Sequence, residues 1–64
     1  MKIVVMGGAG DVGSRAVEEL AFEAGISQVT IADWNIRGAQ SLAKRLQRQG
    51  AKAEVVAVQV DANR

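Results

Sequence analysis

Residues 4–13 read VVMGGAGDVG, joining an apolar run to the start of an amphipathic segment and placing four glycines within seven residues. Glycine loses more backbone freedom on folding than any other residue, so such a cluster indicates a tight turn or a close approach to the backbone. The patterns on either side of the cluster decide between these explanations.

Strand patterns occur three times along the chain. Residues 2–6 form a β-branched run typical of a strand that is buried on both faces. The runs QVTIAD (residues 28–33) and AEVVAVQV (residues 53–60) predict two further strands, and the turn residues Asp61-Ala62-Asn63 close the third.

Helix patterns separate the strands. Apolar residues recur at spacings of three and four over residues 11–24 and again over residues 35–49, and Gly25 and Gly50 follow as expected helix terminators. Strands that alternate with helices over short connections predict a parallel sheet with right-handed crossovers. We therefore expect half of a doubly wound α/β fold, βαβαβ, with strand order 3-2-1 and both helices on one sheet face.

The composition of the 64 residues restricts the function. The chain has no Cys and no His, which removes thiolate nucleophiles, imidazole bases and the usual zinc ligands, so we expect no metal and no catalytic residue. A net charge of +1 gives no footprint for nucleic acid or an anionic membrane surface. No stretch approaches the roughly 18 apolar residues of a membrane span, and a cytoplasmic location is expected. So short a chain makes one small domain, residues 1–64, which we expect to be a fragment of a longer protein.

The glycine cluster contains a motif with a known mechanism. Residues 8–13, GAGDVG, match G-x-G-x-x-G between a strand and a helix, and Asp33 lies 20 residues after Gly13. This context predicts a Rossmann dinucleotide-binding site: Gly8 turns the chain out of the strand, Gly10 leaves room for the pyrophosphate, and Gly13 allows close helix packing. The N–H groups of residues 11–13 would face the phosphates at the positive end of the helix dipole.

A purely structural explanation of the glycines is the alternative. Close packing of helix on strand explains Gly13 well, Gly8 partly and Gly10 poorly, while Gly7 is interpreted as ordinary loop. Asp11 would be repelled by a pyrophosphate, so we expect its side chain to point away and only its N–H to face the ligand.

The adenosine end of the ligand involves residues after the second and third strands. Asp33 is expected to accept hydrogen bonds from the ribose hydroxyls, although it could instead cap the second helix, a task that Asn35 can also perform. Trp34 is either a stacking surface for adenine or a partly exposed packing residue. Asp61 is either an adenine-side contact or a turn residue.

Asp33 also predicts which cofactor is preferred. A carboxylate at this position stands against a 2′-phosphate, so NAD is expected over NADP. Arg37, helped by flexibility at Gly38, is the residue that would argue for NADP, but it is more simply interpreted as a solvated helix residue.

The segments VVMGGAGDVGSRAVEEL, VTIADWN and VVAVQVDAN resemble the N-terminal cofactor segment of the saccharopine dehydrogenase family over nearly the whole chain. The resemblance implies an NAD(P)-dependent oxidoreductase acting on amino-acid-derived substrates, with the substrate pocket in later segments. It implies pyrophosphate contacts at Gly8, Gly10, Asp11, Val12 and Gly13, a ribose contact at Asp33, and adenine-side contacts at Trp34 and Asp61. An Arg is common at position 34 in similar sequences.

Two other functions stay open at this stage. Nucleotide-sensing domains of potassium transport systems share the strand, glycine loop, helix, strand and acid pattern, and there the nucleotide is an effector. A purely structural module is the other. In any of these cases the predicted topology leaves one sheet face and the edge of the first strand uncovered, so a homo-oligomer is expected.

Overall fold

A computed structural model describes residues 1–61 and contains three strands and two helices in the predicted order. The strands are β1 (Lys2–Met6), β2 (Gln28–Asp33) and β3 (Glu54–Gln59), and the helices are α1 (Asp11–Ala21) and α2 (Ile36–Arg48). β2 pairs in parallel with β1 on one side and β3 on the other, which confirms the order 3-2-1. Ala62 and Asn63 of the predicted turn lie outside the described residues.

The two helices end differently from each other. α1 stops three residues earlier than predicted, because Phe22 and Glu23 donate to carbonyls only three residues back before Gly25 takes a φ of +90°. α2 ends at Arg48, one residue before the predicted Gln49, and Gly50 terminates it as predicted, with a φ of +85°. The N–H groups of Gly50 and Ala51 reach back to the carbonyls of Gln47 and Leu46, the reciprocal pair that defines a Schellman ending.

Both helices pack against the same face of the sheet, as the topology predicts. Val29, Ile31 and Val55 point to this face, and they share one buried cluster with residues of α1 and α2. The helix residues in that cluster are Val17, Ala21, Ala39, Leu42, Ala43 and Leu46. Burial of this cluster is the main source of stability, at roughly 25 cal/mol for each Å² of apolar surface removed from water.

The opposite face of the sheet is open in the described residues. The register places Val4, Thr30 and Val56 in one row and Met6, Ala32 and Val58 in the next. In these rows Val4 is 61% exposed, Met6 68% and Val58 40%. An apolar face therefore lies against solvent, as predicted. Neither helix within residues 1–61 is long and apolar enough to cross a membrane.

Candidate functional site

The predicted site residues gather at one edge of the sheet. β1, β2 and β3 all run in one direction, so the loops that follow Met6, Asp33 and Gln59 meet at their carboxyl ends. Ligands of open α/β sheets bind outside this edge. The candidate residues lie in these three loops or in the first turn of α1, except Asp33, which is the last residue of β2.

The glycine loop begins one residue earlier than the motif suggests. Gly7 has a φ of +69°, a left-handed conformation that favours glycine, and its carbonyl accepts the Gly10 N–H at 3.1 Å. Gly8 is buried, and a Cβ there would lie 2.8 Å from the side chain of Ile31. The special turn conformation assigned to Gly8 in the sequence therefore belongs to Gly7, and Gly8 has a packing reason to be glycine.

Gly13 brings the first turn of α1 against the glycine loop that follows β1. A Cβ on Gly13 would lie 2.3 Å from the Gly7 carbonyl oxygen and 2.9 Å from the Gly8 Cα, distances that no folded backbone accommodates without a shift. The close-packing role predicted for this glycine is confirmed by the geometry.

Gly10 has no such packing reason. A Cβ on Gly10 would have a single protein neighbour within 4 Å, the Gly7 carbonyl oxygen at an ordinary 3.4 Å. Its φ of −77° and ψ of 175° suit any residue. In the sequence analysis, close packing explained Gly10 poorly. In the fold, packing does not require a glycine at this position.

Gly10 is also the N-cap of α1, and it offers no side chain to cap the helix. The first helical bond runs from the Ser14 N–H to the Gly10 carbonyl at 2.8 Å, so the N–H groups of residues 11–13 precede the helical ladder. Val12, the middle one of these three residues, is 84% exposed. Donors at the positive end of a helix dipole, reachable from solvent, suit an anionic group.

Asp33 is the one buried charged side chain in the described residues, at 6% exposure. Its Oδ2 accepts the Ala9 N–H and its Oδ1 accepts the Asn35 N–H, each at 2.9 Å. The cap of α2 is Asn35, whose Oδ1 accepts the Gly38 N–H at 3.1 Å. The alternative of Asp33 as the helix cap is therefore wrong, because Asn35 performs that task.

The hydrogen bonds also set the charge state of Asp33. The pKa of its carboxyl is lowered from the ordinary 3.8, because the Asn35 and Ala9 N–H groups stabilise the charged form; burial opposes them and the Trp34 N–H adds to them. The carboxylate is ionised at neutral pH. Each of its oxygens has a second lone pair that can accept from a further donor.

A cavity of about 520 Å³ brings the three predicted adenosine-side residues together. Asp33, Trp34 and Asp61 line it with Gly7 of the loop. The Trp34 side chain is 66% exposed, while its carbonyl is held by the Gln59 side chain at 3.1 Å. An aromatic face is thus available beside a buried carboxylate.

Asp11 belongs to a different groove. It is exposed and lines a cavity of about 560 Å³ between α1 and α2, together with Arg15 and the ion pair of Glu18 with Arg45. Asp11 does not line the cavity that Asp33, Trp34 and Asp61 share, and the direction expected for its side chain stays a prediction. The pair of Arg45 and Glu18 links the two helices, and both side chains stay about half exposed.

Sequence reasoning missed three residues of this site. Gly7 was interpreted as loop, Ala9 received no role, and Met6, which lines the cavity beside Asp33, was assigned only to the strand. The signal for Met6 was its position as the last residue of a strand at the binding edge. Ala9 carries no side-chain signal, because it contributes through its N–H.

Comparison with protein-family profiles found no match. A 58-residue stretch is 40% identical to YuxG, an uncharacterized oxidoreductase of Bacillus subtilis (strain 168), over 91% of this chain. The chain spans 8% of the length of that curated relative.

The structure is similar to a short-chain dehydrogenase from Sphingobium yanoikuyae that was solved in complex with NADPH. The TM-score is 0.81 at 24% sequence identity, covering 98% of this chain and 23% of the dehydrogenase. The fold is half of a Rossmann domain. Neither comparison supports the saccharopine dehydrogenase family in particular.

Proposed function

We propose that this chain binds the adenosine diphosphate portion of a nicotinamide dinucleotide, as the cofactor segment of an oxidoreductase. The observation that carries the proposal is Gly10, which the fold does not require to be glycine and which sits at the N-cap of α1. A residue without a side chain at this point leaves space that a pyrophosphate would fill. The relative named as an oxidoreductase and the dehydrogenase with the same fold support this reading.

The pyrophosphate is proposed to lie over the loop, with N–H groups from Asp11, Val12 and Gly13 as its main donors. Ala9 and Gly10 use their N–H groups within the protein, on Asp33 and on the Gly7 carbonyl. The predicted contact at Gly10 would therefore be a close approach of backbone rather than a hydrogen bond from this peptide.

The adenosine is proposed to occupy the cavity beside Trp34. The free lone pairs of the Asp33 carboxylate would accept the ribose hydroxyls, the exposed indole of Trp34 would stack on adenine, and Asp61 would border the base. An ionised carboxylate at the ribose favours hydroxyls over a phosphate, so NAD is proposed as the preferred cofactor. The NADPH in the structure of the neighbour is the cofactor of that enzyme and does not decide the preference of this chain.

We propose that the whole protein is an oxidoreductase that transfers hydride. Its substrate-binding and catalytic residues would lie outside this chain. More specifically, we propose that its substrates are derived from amino acids, as in the saccharopine dehydrogenase family. A further part of the proposal is association through the open sheet face or the β1 edge when the 64 residues stand alone, because exposed Val4 and Met6 lie there.

Calorimetric titration of the chain with ADP, NAD, NADP and ATP tests the binding proposal. We expect binding of ADP and NAD at similar affinity, because both carry the adenosine diphosphate that the site would contact. Tight binding of ATP with little affinity for NAD would favour the nucleotide-sensing alternative. No heat with any of the four would favour a structural module.

A further inference from the structure

The Asp33 carboxylate connects two segments that border the candidate site. Oδ2 accepts from Ala9 in the glycine loop, and Oδ1 accepts from Asn35, the N-cap of α2. The side chain is 6% exposed. Its two oxygens therefore have backbone donors in the protein without any ligand.

We propose that Asp33 is a positioning residue for the glycine loop, holding the Ala9 peptide so that the loop keeps its binding conformation whether or not a ribose contacts the carboxylate. This inference rests on the proposed nucleotide site and adds to it a role that the ribose contact alone does not include. It explains why an acid at the end of β2 is useful to the phosphate end of the ligand.

The loop needs such an anchor because of its composition. Ala9 stands between Gly8 and Gly10, and glycine has access to more backbone conformations than any other residue. The Gly10 N–H to Gly7 carbonyl bond closes the turn, while the bond from Ala9 to Asp33 ties the turn to β2. A loop that is ordered before binding does not have to be ordered by the ligand, which raises affinity.

Gly38 provides a second observation on the same arrangement. Its N–H donates to the Asn35 side chain, and a Cβ on Gly38 would lie 2.6 Å from the Asn35 Nδ2 atom and 3.5 Å from the Ala9 Cβ. Glycine is disfavoured inside a helix. Its presence here leaves room for the Asn35 side chain, whose residue also donates its backbone N–H to Asp33. The 3.5 Å distance to the Ala9 Cβ is an ordinary contact and shows that the start of α2 lies next to the glycine loop.

The test compares two ligands on Asp33 variants. Asp33→Asn keeps the shape but offers one acceptor and an NH₂ group that faces a donor, and Asp33→Ala offers none. Glu23→Gln, at an exposed position near the far end of α1, controls for the loss of one charge. The ligands are ADP and 2′,3′-dideoxyadenosine diphosphate, which has the pyrophosphate but no ribose hydroxyl.

We expect both Asp33 variants to bind the dideoxy ligand on the order of tenfold more weakly than the unmodified chain and Glu23→Gln, the equivalent of one hydrogen bond to a charged group. A carboxylate that acted through the ribose alone would leave affinity for this ligand unchanged. Equal affinity of all four proteins for the dideoxy ligand would therefore overturn the positioning role while leaving the proposed nucleotide site intact.

A second readout requires no nucleotide. Amide hydrogen exchange measured by NMR should show the Ala9 N–H exchanging at least about tenfold faster in Asp33→Asn, while the buried Val29 amide in β2 stays protected. Unchanged exchange at Ala9 would overturn the inference whatever the chain binds. Faster exchange at Ala9, in a chain that binds no ADP, would support the anchor and reject the proposed function.

Discussion

Ala9 donates its backbone N–H to the Oδ2 atom of Asp33 at 2.9 Å, across 24 positions of sequence. The contact joins the glycine loop after β1 to the end of β2, the two parts of the dinucleotide fingerprint. The spacing between glycines and acid is usually explained by the ligand, which touches both. In this chain the same spacing also lets the two parts contact each other directly.

The first prediction is that this contact makes stability depend on pH. The pKa of Asp33 is lowered in the folded chain, so its contribution to the free energy of unfolding is fully present above the ordinary value of 3.8 and is lost as the pH falls from there through the lowered value. Asp33→Asn should lack this component. Urea unfolding at pH 7 and at successive pH values below 4 measures it, and parallel losses in both proteins would contradict it.

A second prediction separates two glycines of one motif. Gly13→Ala should lower the free energy of unfolding by about 2 kcal/mol or more, because its Cβ would lie 2.3 Å from the Gly7 carbonyl oxygen. Gly10→Ala should cost less than about 1 kcal/mol, since its Cβ would meet that oxygen at 3.4 Å. Urea unfolding of the two variants side by side decides the matter, and equal losses would show that the loop geometry is wrong.

The sequence was sufficient to predict the architecture because several local signals agreed. The runs of β1 and β2 appear in the structure with the bounds that were predicted, and Gly50 follows the end of α2. The prediction that β1 is buried on both faces was wrong, because β1 is an edge strand of the described sheet and none of its residues is buried. The end of α1 was predicted three residues late because Gly25 lies in the turn beyond the helix rather than at its end. Glycine marks a left-handed residue, but the pattern alone does not say how far it lies from the last helical bond.

The site was less predictable, because its structure depends on backbone atoms. Residue types indicate that Asp33 and the glycines belong together, yet the donor that meets Asp33 is the N–H of Ala9, and an alanine gives no hint of it. Likewise, the motif does not reveal that Gly7 rather than Gly8 takes the positive φ. Hydrogen bonds of the main chain become visible only once the register of the loop is known.

The third prediction tests the phosphate loop. Gly10→Val should weaken ADP binding roughly 100-fold or more, because the branched side chain would occupy the space proposed for the pyrophosphate. The fold should survive, as a Cβ at Gly10 would meet one protein atom, the Gly7 carbonyl oxygen, at an ordinary 3.4 Å. Ala24→Val is the matched control, an exposed position beyond the far end of α1. Calorimetric titration showing equal affinity for all three proteins would remove Gly10 from the site.

The fourth prediction concerns association of the isolated chain. Val4 is 61% exposed on the open face, in the edge strand β1, so Val4→Lys should shift a dimer or higher oligomer toward monomer by placing a charge in the contact. Ala24→Lys adds the same charge at an exposed position outside that face and should not. Sedimentation velocity over a range of concentrations measures the shift. A stable, cooperatively folded monomer of the unmodified chain would contradict the prediction.

The last prediction is that NAD binds at least about tenfold more tightly than NADP. An ionised Asp33 facing a 2′-phosphate sets two negative charges against each other, which costs several kcal/mol at a binding interface. The double variant Asp33→Ser, Trp34→Arg should reverse the preference, since position 34 is exposed and lines the same cavity, and an Arg there can pair with the phosphate.

The quantity to compare is the ratio of the Kd values for NAD and NADP, because any general loss of affinity from releasing Ala9 affects both cofactors and cancels. Comparable Kd values for NAD and NADP in the unmodified chain would show that Asp33 does not select the cofactor, and Arg37, exposed in the first turn of α2, would then be the residue to substitute next.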